Sequence, residues 1–189
     1  MEFTFGTDPE FMIYRWDDLQ SAISLLPKKD AALSRNGSKF YYDNVLAEIA
    51  VKPGKTRTEV SENICKSLQN LSKICKPARL AIQASAKYPN KQLNDKEARI
   101  AGCNPEWDAY SLRCILPPEE SISKTAFRTA GGHIHIGAKC FTDSIDALNA
   151  IRMMDLFIAI PSLFIDTDET SKERRKLYGH AGSHRGTDY

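Results

Sequence analysis

Gly131-Gly132-His133-Ile134-His135-Ile136-Gly137 alternates polar and apolar side chains between glycines, which is the period of an extended strand. On such a strand Ile134 and Ile136 face one way, and His133 and His135 the other. Two imidazoles on one face, flanked by glycines that let a ligand approach the backbone, suit metal binding or donation to a phosphate. A single histidine would read as an ordinary packing residue; the pair at spacing two carries the signal. A zinc site would need further nitrogen or sulfur ligands, and Cys140 lies too far along a regular strand to meet His133. A carboxylate-plus-imidazole site for Mg2+ or Mn2+ therefore ranks above zinc.

Around this run, residues 126–138 read as one strand, and Arg128 on it is a candidate for binding an anion such as a nucleotide phosphate. Residues 144–160 follow with the spacing of a helix that becomes apolar almost all round before Pro161. The expectation is a helix stopped by Pro161, buried against the sheet and backing the histidine strand. Further on, Lys172-Glu173-Arg174-Arg175-Lys176 gives way to a glycine-rich stretch through Gly179, Gly182 and Gly186. Arg174, Arg175 and Arg185 join guanidinium forks to pliable backbone, as binding a carboxylate or a transferring phosphate requires. A helix end followed by a solvated loop is the plainer reading of the same residues.

Toward the amino terminus, residues 3–14 have strand composition, interrupted at Gly6-Thr7-Asp8-Pro9-Glu10. Asp8 and Glu10, two apart on an extended chain, can point from one face with roughly 6.6 Å between their α-carbons. Adjacent carboxylates repel, and a bridging hard cation resolves the repulsion. Residues 27–39 read as a connection, and residues 40–51 as a second strand ending at Pro53-Gly54. Glu48 sits inside that apolar strand, where an acid needs water, a partner or a metal. Asp43, nearer its entrance, reads as turn chemistry. Thr56-Arg57-Thr58-Glu59 has capping-box spacing ahead of Val60, Ile64, Leu68, Leu71 and Ile74, which predicts a helix over about 57–75. Residues 80–86 alternate as a third strand, and 102–120 read mostly as loop.

The whole sequence has 189 residues, 42% hydrophobic and 26% charged, which suits one folded domain spanning 1–189 and excludes a disordered chain or a coiled coil. A formal charge of +2 is too balanced for a dedicated nucleic-acid module. No run approaches the length of a membrane span, and the start lacks a signal peptide's basic and apolar regions, so no membrane partner is expected. Five cysteines without CxxC spacing suit a reducing compartment, giving a cytoplasmic expectation. No GxxxxGK[ST], GxGxxG or GxSxG pattern occurs, so any nucleotide chemistry uses neither a P-loop nor a Rossmann turn.

In order, G-x-D-P-E-F on an early strand, a strand glutamate, G-G-H-x-H-x-G and an arginine-rich loop resemble the glutamine synthetase and glutamate–cysteine ligase superfamily. Within it the chain looks closest to the phage-type carboxylate–amine ligases, COOH.NH2 ligase type 2. The resemblance implies an α+β fold: a curved, mainly antiparallel sheet with helices packed on one face, as in a glutamine synthetase-like catalytic domain. It implies Asp8, Glu10, Glu48 and His133 as ligands of Mg2+ or Mn2+, and His135 as a contact to ATP phosphate. Arg174, Arg175 and Arg185 would steady the transferring phosphoryl group or the substrate carboxylate. The implied reaction is phosphorylation of a carboxylate by ATP, then attack of an amine on the acyl phosphate to give an amide. The implied substrate is an amino acid or peptide, in a host cytoplasm if the protein is phage-encoded. Two departures stand out. Position 8 is Asp where the better-known synthetases carry Glu, and the family's later strand with a glutamate and an arginine does not follow before Tyr189. The expectation is thus a domain short at its C-terminus, a homo-oligomer or a completing subunit as partner, and, as the alternative, a catalytically inactive ligase-fold binding or structural protein.

Overall fold

Pro9 has no N–H to give to a sheet ladder, and at Asp8-Pro9 the first strand bends into two. In the computed structural model, which describes residues 2–100, 106–115, 125–142 and 144–184, β1 (Phe3–Thr7) and β2 (Glu10–Arg15) lie on either side of that bend. An antiparallel sheet runs in the order β3 (Asp18–Gln20), β2, β6 (Leu46–Ala50), β5 (Ser38–Asp43), β4 (Leu33–Arg35), with β7 (Arg79–Ala81) also on β2. β1 takes a different partner, β12 (Ile134–Ala138), in a register that sets Gly6 opposite His135. The chain after Glu48 runs past the bend, since Ile49 N–H donates to Pro9 O and Val51 N–H to Thr7 O. On the other side Glu10 N–H donates to Gly131 O. The bend is clamped along both edges.

Strand alternation sorts the side chains into two cores. Phe11, Ile13, Phe40, Ala47 and Ile49 enter the first, against Ile64, Leu68 and Leu71 of α1 (Arg57–Ile74). Met12, Val45 and Leu46 enter the second, closed by Tyr88, Leu93, Ala98 and Ala130. Glu10 shares parity with Met12, and Glu48 with Leu46, so both acids lie on the face away from α1. α1 begins where its sequence predicts: Thr56 Oγ1 accepts from Glu59 N–H at 3.2 Å, and the Glu59 carboxylate accepts from Lys55 N–H at 2.8 Å.

Several strands are shorter than their sequence pattern suggests. Residues 40–51 form a hairpin, not one strand, because Asn44 takes a left-handed φ of 53° that asparagine tolerates at a turn. Residues 80–86 split into β7 and β8 (Ser85–Lys87), with Ile82 exposed between them. Residues 126–138 split likewise into β11 (Phe127–Thr129), which pairs with β8, and β12. The expected loop at 102–120 contains, in its described part, β9 (Glu106–Asp108) and β10 (Cys114–Ile115), and β13 (Ser183–His184) joins β9.

The helix expected to stop at Pro161 and lie buried does neither. α2 (Ser144–Met154) passes through a π-helical turn, Asp155–Ala159, into α3 (Ile160–Ile165). Pro161 sits in the first turn of α3, where a missing N–H is tolerated next to the wider π turn. The polar side chains reach back to the body: Arg152 donates to Ala109 O, and Asp155 accepts from Gly182 N–H. Leu156, Phe157, Ile158, Ile160, Leu163, Phe164 and Ile165 stay exposed. Contrary to the expectation that no run approaches a membrane span, Ile145–Ile165 is long and apolar enough to be one by length and composition. A last short helix, α4 (Ser171–Arg175), follows.

Candidate active site at the strand bend

The bend gathers the chemistry. Asp8 and Glu10 flank Pro9, and each carboxylate is held by a backbone N–H of the opposite loop: His133 N donates to Asp8 Oδ1, and Gly131 N to Glu10 Oε2, both at 2.7 Å. The loop comes this close because residue 132 lacks a side chain; a Cβ on Gly132 would sit 3.1 Å from Pro9 Cα. Register brings in the rest. Glu10 pairs with Glu48 across β2 and β6, and Glu48 pairs with Tyr41 across β6 and β5, so all three side chains share one face. Asp43, two residues beyond Tyr41, falls on that face too.

Two ligand-like groups result, where the sequence suggests one set. Glu10, Asp43 and Glu48 bring carboxylate oxygens within 4.8 Å of one another. Asp8, His133 and His135 form the other, to the same tolerance. In it His133 Nδ1 lies 2.9 and 3.1 Å from the two Asp8 oxygens, and His135 Nε2 lies 3.3 Å from Asp8 Oδ2. Asp43, read from sequence as turn chemistry, is the residue missed; its parity with Tyr41 and Glu48 becomes readable only once the hairpin is known. His135, which the resemblance sets against ATP phosphate, has its Nε2 beside Asp8.

The two groups differ electrically. Burial, with Asp43 and Glu48 nearby, pushes Glu10 up to about 8, against the pull of the Gly131 N–H and of Arg174. Burial also pushes Glu48 up to about 7, although the Tyr41 hydroxyl donates to its Oε1 at 2.7 Å and Asp43 adds repulsion. Asp8 goes the other way: burial opposes its charge, but hydrogen bonds with His133 and His135 hold it well below the usual carboxylate range. The oxygen-only cluster thus carries crowded, costly negative charge that a divalent cation would neutralise.

The arginines separate. Arg174 Nε donates to Ala130 O at 2.9 Å, its guanidinium lies over the Tyr178 ring, and its field reaches Glu10. Gly131 makes room for it: a Cβ there would stand 2.4 Å from Arg174 Nη2. Arg175 is instead turned to Asp166, 2.7 Å from Oδ2. Arg128, expected to meet an anion, is buried and donates to Asn44 Oδ1 and to the carbonyls of Ala98, Thr125 and Phe127. Those bonds tie neighbouring segments together and engage all three guanidinium nitrogens with the protein's own oxygens. Arg185 lies outside the described residues.

A bent antiparallel sheet thus presents one all-carboxylate group, one carboxylate–imidazole group and a nearby arginine, either group being able to hold a metal ion. Residues 121–189 match the model of a family described as Phage phiEco32-like COOH.NH2 ligase-type 2, and placement in the wider ligase superfamily is consistent with that match. The matched stretch contains Gly131, His133, His135 and Arg174 but not the acids of the first strands. No curated protein and no solved structure matches the chain.

Proposed function

We propose that the protein is an ATP- and Mg2+-dependent carboxylate–amine ligase acting on an amino acid or peptide in the cytoplasm. One observation carries the reading: the residues of the ligase-matched segment, Gly131, His133 and Arg174, close onto Asp8 and Glu10, which lie outside that segment. The oxygen-only donor set suits a hard cation. Glu10, Asp43 and Glu48 would hold Mg2+, which supplies charge neutralisation to ATP phosphates. Gly131 N–H and Tyr41 Oη keep Glu10 and Glu48 aimed into the cluster. Arg174, braced by Ala130 O and Tyr178, presents its outer nitrogens to an anion, the substrate carboxylate or the phosphoryl group in transfer. The reaction joins the carboxylate to the γ-phosphoryl group with release of ADP; the amine then displaces phosphate and loses a proton to give the amide.

The experiment is ADP release from the purified chain with Mg2+–ATP across a panel of amino acids paired with amines. ADP formed only when both are supplied, and lost in Glu10→Gln, is the expected result. ATP-independent bond cleavage, or no ADP with any pair, would reject the ligase reading.

A further inference from the structure

We infer that Lys29 is an anion-binding residue at the β5 edge of the acid cluster, where it receives a phosphate or carboxylate oxygen at the end of the site opposite Arg174. The inference deepens the ligase reading and rests on it for the source of the anion, nucleotide or substrate.

Lys29 belongs to a stretch, residues 27–39, that reads from sequence as a plain connection. In the fold that stretch is tied to β5, because Tyr42 N–H donates to Pro27 O at 3.0 Å, and a single 3-10 turn follows at Lys29–Ala31. Two neighbouring lysines then take different partners. Lys28 Nζ meets Glu97 at 2.8 Å, whereas Lys29 Nζ stands 5.4 Å from the centre of the Tyr41 ring and forms no ion pair among the described residues. Tyr41 is buried and its hydroxyl donates to Glu48 at 2.7 Å, so the ring is a fixed platform beside the cluster. An ammonium resting on an aromatic face is held in place without being neutralised. Its charge is felt within the cluster: burial holds Glu48 up, and Lys29 opposes that after the Tyr41 hydroxyl.

Register places this cation across the site from Arg174. Glu10, Glu48 and Tyr41 are neighbours across β2, β6 and β5. The field of Arg174 reaches Glu10 and Lys29 lies over Tyr41, two residues that stand two strand spacings, roughly 10 Å, apart. An ion held by the acids would lie between the two cations. An extended anion on that ion, or two anions side by side, can meet both, and the ammonium on its four-carbon stem has three donors with which to follow one of them.

The test compares Lys29→Met, which keeps the stem over Tyr41 and removes the charge, with Lys29→Arg, which keeps the charge, and with Lys28→Ala as a control. Melting temperatures check folding. Calorimetry with Mg2+–tripolyphosphate and with a non-hydrolysable Mg2+–ATP analogue reads a phosphate seat; the KM for the carboxylate in ADP release reads a carboxylate seat. Lys29→Met should weaken one of the two by about tenfold or more, the scale of a hydrogen bond to a charged group, and flatten its salt dependence. Lys29→Arg should restore most of the loss, and Lys28→Ala should show none. Wild-type values in Lys29→Met, or an equal loss in Lys29→Arg, overturn the assignment. Tripolyphosphate binding that weakens in Lys29→Met, in a chain that releases no ADP with any pair, would sink the ligase reading and leave Lys29 standing. ADP release indifferent to Lys29 would sink this inference alone, and a wild type that neither binds a phosphate probe nor releases ADP would sink both.

Discussion

Glu10 and Asp8 have almost the same sequence context, yet their surroundings push their acidities apart. Glu10 is raised by burial beside two other acids, and Asp8 is lowered by two imidazoles and a backbone N–H. Replacing Glu10 by Gln removes a charge that burial penalises. In metal-free protein at about pH 8 we expect Glu10→Gln to melt no lower than wild type, by differential scanning calorimetry, while Mg2+-dependent nucleotide binding disappears. Tyr41→Phe should do the opposite to stability. It strips the hydrogen bond from a carboxylate only 5% exposed, and a cost of about 1–3 kcal/mol in urea unfolding is expected. At this scale the sequence was partly legible. Asp8, Glu10, Glu48 and His133 are all at the bend, since acids inside strands and histidines between glycines advertise themselves. Asp43 was not, because its role depends on the turn at Asn44 that puts it on the face of Tyr41 and Glu48.

Among the elements, the loop Ala130–His133 does the most positioning, and it does so by lacking side chains. Gly131→Ala would drive a Cβ into the Arg174 guanidinium, so we expect weaker nucleotide or carboxylate binding with the native circular dichroism spectrum and melting temperature retained. Loss of binding together with a lowered melting temperature would mean that the loop collapses, and would contradict a role confined to Arg174. The helix Ile145–Ile165 gives the contrasting case. Its apolar residues were expected to build the core, because a pattern that is apolar all round signals burial. α1 holds that place instead, its stripe at Ile64, Leu68 and Leu71 being seated on the sheet. Phe164→Ser should therefore shift unfolding by no more than about 0.5 kcal/mol, whereas Ile49→Ala in the first core should cost about 2–5 kcal/mol. Strand ends were the least legible feature of the sequence, since alternation runs on through Asn44 and through Gly131 while the backbone turns.

For the whole molecule, the acids set how stability depends on pH. Glu10 and Glu48 hold protons more tightly folded than unfolded, so their contribution is complete below about 4.5 and is lost as pH rises through about 7 and 8. Asp8 works in the reverse sense, losing its contribution as pH falls below the normal aspartate range. The metal-free protein should thus be most stable in mildly acid solution and soften toward pH 8. Mg2+ should raise the melting temperature more at about pH 8 than at about pH 5, where protons compete for the same oxygens. Equal Mg2+ effects at both values would mean that the cluster does not bind the ion. The bent first strand could be read from sequence because proline and glycine act locally, whereas the α+β class and the antiparallel sheet followed only from the family resemblance. The division of the ligands into two groups could not be read, because it follows from the register between strands more than 120 residues apart.

The central claim is that the bend binds ATP through a cation held by Glu10, Asp43 and Glu48. Its most direct measurement is calorimetry of a non-hydrolysable ATP analogue binding to the chain, with and without Mg2+, in wild type, Glu10→Gln and His133→Ala. Binding that requires Mg2+ and vanishes in Glu10→Gln is the predicted result, with His133→Ala reporting whether the neighbouring imidazole site takes part. No binding to folded wild type, or binding indifferent to Mg2+ and to Glu10, would contradict it.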